Sequence, residues 1–210
     1  MFFNDFSALS PRFRATLINS VTGYKSLCLV GTTNGDEQPV YNLTVFNSIF
    51  HLGANPPLVG MVVRPDNGEA ERHTLWNIQK TGVYTLNHVL ADFHALAHQT
   101  SAKYAADVSE FEACGFTPTF KVGFTAPFVG ESRIQMGMQL REIMPVPING
   151  TSIIIGEMVS LSIPNDSLDT DGFVDIAKAG SLASIGLDGY AKARFLSRQG
   201  HAKVPDPVVE

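Results

Sequence analysis

Near the start of the chain, Ser10-Pro11 precede Phe13, Leu17 and Val21 at helical spacing, and Gly23 ends the run. A serine before a first-turn proline is a helix-start signature, so a helix is predicted here as a lid on whatever follows. From Lys25 the period shortens to that of strands. "KSLCLVGTT" and "QPVYNLTVFN" flank Asn34-Gly35, and an Asn-Gly between two apolar runs predicts a hairpin. "PPLVGMVVRP" is a buried strand bounded by prolines. "ERHTLWNIQKTGVYTLN" opens as a short helix, breaks at a glycine and alternates as a strand up to Asn87. Residues 91 to 114 look helical and loop-like, with Asp92, Ser101 and Ser109 as candidate caps. Near the end "SRIQMGMQLREIMPV" and "TSIIIGEMVSLSIP" flank Asn149-Gly150, which predicts a second, longer hairpin. Strands of unequal length, with helices in some connections only, predict a mainly β fold, an antiparallel barrel with helical insertions. No internal repeat or linker precedes the Pro-rich tail "KVPDPVVE", so residues 1–210 are expected to be a single domain.

Composition narrows the function classes. The apolar content of 44% is ample for a core, and a formal net charge of -5 argues against a nucleic-acid partner or a polybasic membrane patch. Any anionic ligand must be held by a local site. No apolar run approaches the roughly 18 residues of a membrane span, and the expected location is the cytoplasm. Cys28 and Cys114 show no metal-ligand or disulfide spacing and read as reduced thiols.

The helix opening at Arg72, His73 and Thr74 puts a basic pair where acidic residues are normally stabilising. A bound phosphate would resolve this, because helix-start N–H groups carry partial positive charge and the three side chains add donors. The plain alternative is that Thr74 or His73 caps the helix and Arg72 is solvated. "NHVLADFHALAHQTSAKY" holds His88, His94 and His98, the last two one helical turn apart as in a helical zinc site. A metal-dependent hydrolase using His94 and His98 is one reading, although no glutamate stands between them; solvated or core histidines are the other. No nucleophile elbow, P-loop or dinucleotide fingerprint is present.

The ordered set "NLTVFNSIF", "PPLVGMVVRP", "RHTLWNIQKTGVYTLNH", "HQTSAKY", "SEFEACGF" and "APFVGES", from about Gly31 to Leu140, resembles flavin reductase-like proteins of the FMN-binding split-barrel fold. The resemblance implies a six-stranded antiparallel split β-barrel, a homodimer and FMN as cofactor. It places the flavin ring over Thr44, Val45, Phe46, Asn47 and Ser48, with the phosphate at Arg72, His73 and Thr74 and Arg64 nearby. Asn87 and His98, Gln99, Thr100, Ser101, Ala102 and Lys103 would close the site. Two positions depart from the commoner family pattern: Val45 and Asn47 stand where many members have proline and serine, and His73 where many have an acid. The function implied is an NAD(P)H-dependent flavin reductase transferring hydride to flavin N5, with NADH or NADPH as co-substrate and a small-molecule acceptor. A non-catalytic FMN-binding or electron-transfer protein is the alternative. Hydride transfer asks the protein for positioning more than for an acid or base, so no catalytic residue stands out beyond His98, which equally reads as structural. "DGYAKARF", with Asp188, Gly189, Tyr190 and Arg194, either reaches a partner's site across a dimer or packs as a tail.

Overall fold

The computed structural model describes residues 2–65 and 72–203; Glu71 and most of the Pro-rich tail, from Val204 on, lie outside the described residues. α1 (Pro11–Val21) begins as expected, with Ser10 Oγ accepting from Phe13 N. β1 (Lys25–Ser26) and β2 (Cys28–Thr33) follow, then β3 (Tyr41–Phe46), β4 (Ile49–Ala54) and β5 (Pro57–Val63). α2 (His73–Thr81) ends at Gly82, whose φ of 71° makes the left-handed C-cap, and β6 (Val83–His88) starts at once. Beyond a short 3-10 turn at Ala91–Phe93 come α3 (His94–Gln99), α4 (Glu110–Cys114), β7 (Pro118–Lys121) and β8 (Phe124–Val129). β9 (Gln135–Val146), β10 (Thr151–Ser162), a second 3-10 turn at Asn165–Ser167, β11 (Leu182–Ile185) and β12 (Gly189–Lys192) complete the described elements.

Seven strands form the main sheet, in the order β3-β2-β6-β9-β10-β5-β4, every pair antiparallel. The six-strand expectation is therefore corrected: the strand beyond the predicted set is β4, which the pattern merged with its neighbours because two residues alone, Asn47 and Ser48, separate it from β3. Those two residues join the outermost strands, so the sheet must curl until its ends meet. Ser48 O accepts from Val62 N, which carries the β4–β5 ladder one residue into this junction. β7 pairs with β8, and β1, β11 and β12 form a small third sheet that the sequence reading did not anticipate.

Period-two alternation in β2 feeds two cores. Leu27 and Leu29 face one cluster with Leu43, Phe93 and Phe111, whereas Cys28 and Val30 face the other with Met61, Tyr84 and Ile154. Burial pushes the Cys28 thiol up to about 12, as expected of an inert core cysteine. The Asn149-Gly150 hairpin forms as predicted, closed by the pair Val146 and Thr151. The Asn34-Gly35 pair does sit in the β2–β3 connection, but the loop runs over residues 34–40, with Asn34 Oδ1 accepting from Asp36 N and Val40 N.

Of the predicted caps, two are corrected, Asp92 lying within the 3-10 turn and Ser101 following α3. Ser109 does occupy the N-cap position of α4, although its hydroxyl makes no cap bond and donates to Tyr41 O at 2.7 Å. That bond is one of three along β3. Leu43 N donates to Glu110 Oε2 at 3.0 Å and Val45 N to Thr100 Oγ1 at 2.9 Å. The α3–α4 insertion thus engages alternate peptides of the strand's outer edge.

Candidate functional site

A cavity of about 840 Å³ opens where the two ends of the sheet meet, a volume in the range of small-molecule and cofactor sites. Of the sixteen residues expected at the site, all but two line it. The β3–β4 junction contributes Thr44, Val45, Phe46, Asn47 and Ser48; the end of β5 contributes Arg64; the start of α2 contributes Arg72, His73 and Thr74. The end of α3 and the turn after it contribute His98, Thr100, Ser101, Ala102 and Lys103.

Asn87 and Gln99 are the exceptions. Asn87 is fully buried in β6, where Nδ2 donates to Leu29 O and Thr85 Oγ1, and Oδ1 accepts from Val129 N, tying β8 to the main sheet. Gln99 is exposed and donates to Tyr104 OH. A strand-ending asparagine reads alike as ligand or as sheet tie, and here its polar atoms are all spent on the tie.

α2 starts without a side-chain cap bond from Arg72 and without an acid in its first turn. Helix-start N–H groups have no intrahelical acceptors, so this end opens onto the cavity as a local positive pole. Arg72 fixes its guanidinium by donating from Nε and an Nη to Pro65 O at 3.3 and 3.2 Å. Thr74 is placed differently from expectation. Its hydroxyl, buried, donates to Asn42 Oδ1 at 2.9 Å, so the side chain positions the helix and the backbone is what it presents.

Asn42 is the centre of a polar network that the sequence reading missed. Its Nδ2 lies 2.9 Å from each oxygen of Glu110, and its Oδ1 also accepts from Thr32 Oγ1, which in turn accepts from Asn77 Nδ2 of α2. Glu110 is buried and lines the cavity. Desolvation raises its pKa, opposed by the bonds from Leu43 N and Asn42 and by the nearby His73. The one legible signal was Asn42 itself, a polar residue inside the apolar run "VYNLTVF".

Asn47 was expected to reach a ligand or to make a local turn. Instead, its Nδ2 donates 2.8 Å to Gly186 O, in the turn of the β11–β12 hairpin. That hairpin adds Ser184, Leu187, Asp188 and Tyr190 to the lining, and α1 adds Ala15 and Asn19. Ser184 Oγ is buried there with no hydrogen-bond partner among the described residues. The segment left open between a packed tail and a cross-dimer arm therefore reaches the cavity of its own chain.

The histidines divide. His88 Nδ1 bonds Ser181 Oγ at 2.7 Å, and desolvation pushes its pKa down to about 4. His94 bonds Ala91 O, whereas His98 Nδ1 bonds Tyr190 OH at 2.7 Å, and the rings of both meet Tyr190 edge-on. Among the described residues no group of His, Cys, Asp or Glu is arranged to hold a metal ion. Nor is any described helix long and apolar enough to cross a membrane.

A curled antiparallel sheet with a cation-lined cavity at the junction of its outer strands defines a mainly β split-barrel protein. Residues 22–177 match the flavin reductase like domain family, and the chain belongs to it. A crystal structure assigned as a flavin reductase with split barrel domain, from Shewanella frigidimarina NCIMB 400, is 45% identical, covers 96% of this chain and 100% of its own, and superposes with a TM-score of 0.90. Nitrilotriacetate monooxygenase component B from Bacillus cereus shares the fold at 19% identity and TM-score 0.81, over 96% of this chain and 98% of that one. An FMN-binding protein from Thermus thermophilus, with bound 1-cyclohex-2-enone, does so at 18% identity and TM-score 0.71, over 94% and 100%. Family membership supports a flavin-related oxidoreductase.

Proposed function

We propose that the chain is an FMN-binding oxidoreductase, an NAD(P)H-dependent flavin reductase, that holds the FMN phosphate at the start of α2 and the ring beside Thr44 to Ser48. The observation that carries this reading is the start of α2, where Arg72 makes no side-chain cap bond, opening on a cavity lined by Arg64, Arg72 and Lys103, in a chain whose net charge is -5. Local cations at a helix start favour a dianionic group. The donor set fits FMN: cations and helix-start N–H groups suit the phosphate, while apolar Val45 and Phe46 with polar Thr44 and Ser48 suit a ring with a polar edge. When bound, the flavin supplies the hydride acceptor, and the chain supplies binding and orientation. Glu110, Asn42 and Thr74 hold α2 against β3, so the phosphate-binding end and the ring-binding junction keep a fixed separation. No side chain is required to move a proton in the hydride step, and none is assigned that role.

The test compares FMN with riboflavin, which lacks the phosphate. Arg72→Ala should weaken FMN about 10- to 100-fold, the value of one charge-assisted hydrogen bond, and leave riboflavin within about twofold. Equal losses would refute the assignment of the phosphate to this helix start. Bleaching of the bound flavin by NADH or NADPH in stopped flow separates a reductase from a non-catalytic FMN-binding or electron-transfer protein. The reading includes a homodimer, supported by exposed Phe50 and Leu52 on β4 and Val159 and Leu161 on β10. Light scattering at micromolar concentration should return twice the chain mass.

A further inference from the structure

The stretch matched by the flavin reductase like family, residues 22–177, stops short of two elements that also line the cavity. α1 precedes it and the β11–β12 hairpin follows it, and they meet: a Cβ at Gly186 in the hairpin turn would stand 3.1 Å from Ser20 Oγ of α1. This added wall is fastened to the family-common part by the β1–β11 ladder, which pairs Lys25 with Ser184 and Ser26 with Ala183, and by side-chain bonds that include Asn47 Nδ2 to Gly186 O at 2.8 Å and His98 Nδ1 with Tyr190 OH at 2.7 Å. Its charge differs from the rest of the cavity. Arg64, Arg72 and Lys103 all come from the common part, whereas the added wall places apolar Ala15 and Leu187 and the carboxylate of Asp188 at the lining, with no cation among its lining residues. Asp188 is close enough to Tyr190 to help burial hold the phenol pKa above its ordinary value.

We infer that α1 and the β11–β12 hairpin form the recognition wall for the second small molecule of the reaction, that this molecule presents a neutral, partly apolar group to it, and that Asp188 is the residue that turns anions away. The inference rests on the reading that the cationic side of the cavity takes the FMN phosphate. The division is physical. One carboxylate facing a ligand group penalises an anion and leaves a neutral amide untouched, while Leu187 and Ala15 supply contact area that is indifferent to charge. Because Asp188 is exposed, solvent screens its field, and the discrimination is a matter of several-fold.

Nicotinamide and nicotinate differ only in carboxamide against carboxylate and serve as the probes. Each is titrated into the full chain by calorimetry or NMR, with and without saturating FMN. Nicotinamide should bind about fivefold or more tightly than nicotinate, and Asp188→Asn should bring the two within about twofold. The FMN affinity and melting temperature of that variant should match those of the unaltered chain. Leu187→Gly should weaken both probes equally. A nicotinate affinity equal to that of nicotinamide, a ratio unchanged by Asp188→Asn, or no binding of either probe would overturn the inference. Failure of FMN to bind the unaltered chain would instead overturn the functional reading, with the probe ratio still measured on the flavin-free protein.

Discussion

Replacing Asn42 by aspartate sets a carboxylate oxygen where Nδ2 now donates to Glu110, 2.9 Å from each of that residue's oxygens, with both side chains buried. Two charges about 3 Å apart at an effective dielectric near 20 would repel by roughly 5 kcal/mol. The pair avoids this by keeping one proton between its carboxyl groups. Holding that proton at pH 7, about three units above an ordinary Asp pKa, costs roughly 4 kcal/mol at about 1.4 kcal/mol per unit. The proton-sharing state is the cheaper, so the variant should be destabilised by about 4 kcal/mol at pH 7, roughly a 10 °C fall in melting temperature for a chain of this size. The sign follows from linkage: the folded pair has a raised pKa, so stability is retained at low pH and lost as pH rises from the unfolded Asp value towards the folded one. At pH 5 the deficit should shrink to about 1.5 kcal/mol. Thermal unfolding of Asn42→Asp, Asn42→Ala and the unaltered chain from pH 5 to 8 measures it. A deficit for Asn42→Asp that does not grow with pH would show that Asn42 and Glu110 are not hydrogen-bonded in the folded chain.

His88 gives an opposite pH slope: its folded pKa is depressed to about 4, so stability is complete above its ordinary pKa of 6.5 and falls with pH below that. The loss should approach about 2 to 3 kcal/mol by pH 4 and be absent from His88→Gln, as read by denaturant unfolding at stepped pH. Gly31→Ala should cost about 3 kcal/mol and roughly 6–12 °C, because its Cβ would fall 2.3 Å from Pro127 O and 2.6 Å from Thr85 Oγ1, where β8 crosses β2. A melting temperature within 2 °C of the unaltered chain, on the same scale, would contradict that close approach.

Local signals fixed by short-range chemistry were legible in the sequence. The Ser10-Pro11 helix start, the Gly82 stop and the Asn149-Gly150 hairpin each depend on residues within one turn, and each forms where the pattern put it. The ordered segments from Thr44 to Lys103 were legible for a different reason: their resemblance to a family carried the tertiary arrangement that periodicity cannot. What escaped depends on long-range pairing. Asn47 donates to a carbonyl 139 residues away, and no local pattern distinguishes that use from a turn or a ligand contact. Glu110 carried no signal of its own within "SEFEACGF", because its burial comes with docking against Asn42 and Leu43, 68 and 67 residues away. β11 and β12 were passed over because "LASI" and "GYAK" are short and rich in small residues, with little β-propensity to announce them.

The three bonds along β3 bear on the chain's behaviour in concentrated solution. An outermost strand with unpaired peptides is a template onto which a strand of another molecule can add. Here Ser109, Glu110 and Thr100 take up Tyr41 O, Leu43 N and Val45 N in turn, so side chains occupy the positions a foreign strand would need. Damage to the α3–α4 insertion, which also gives Ala97 and Phe111 to one of the two cores, would loosen that core and uncover an adhesive edge at once, so self-association would accompany the loss of stability.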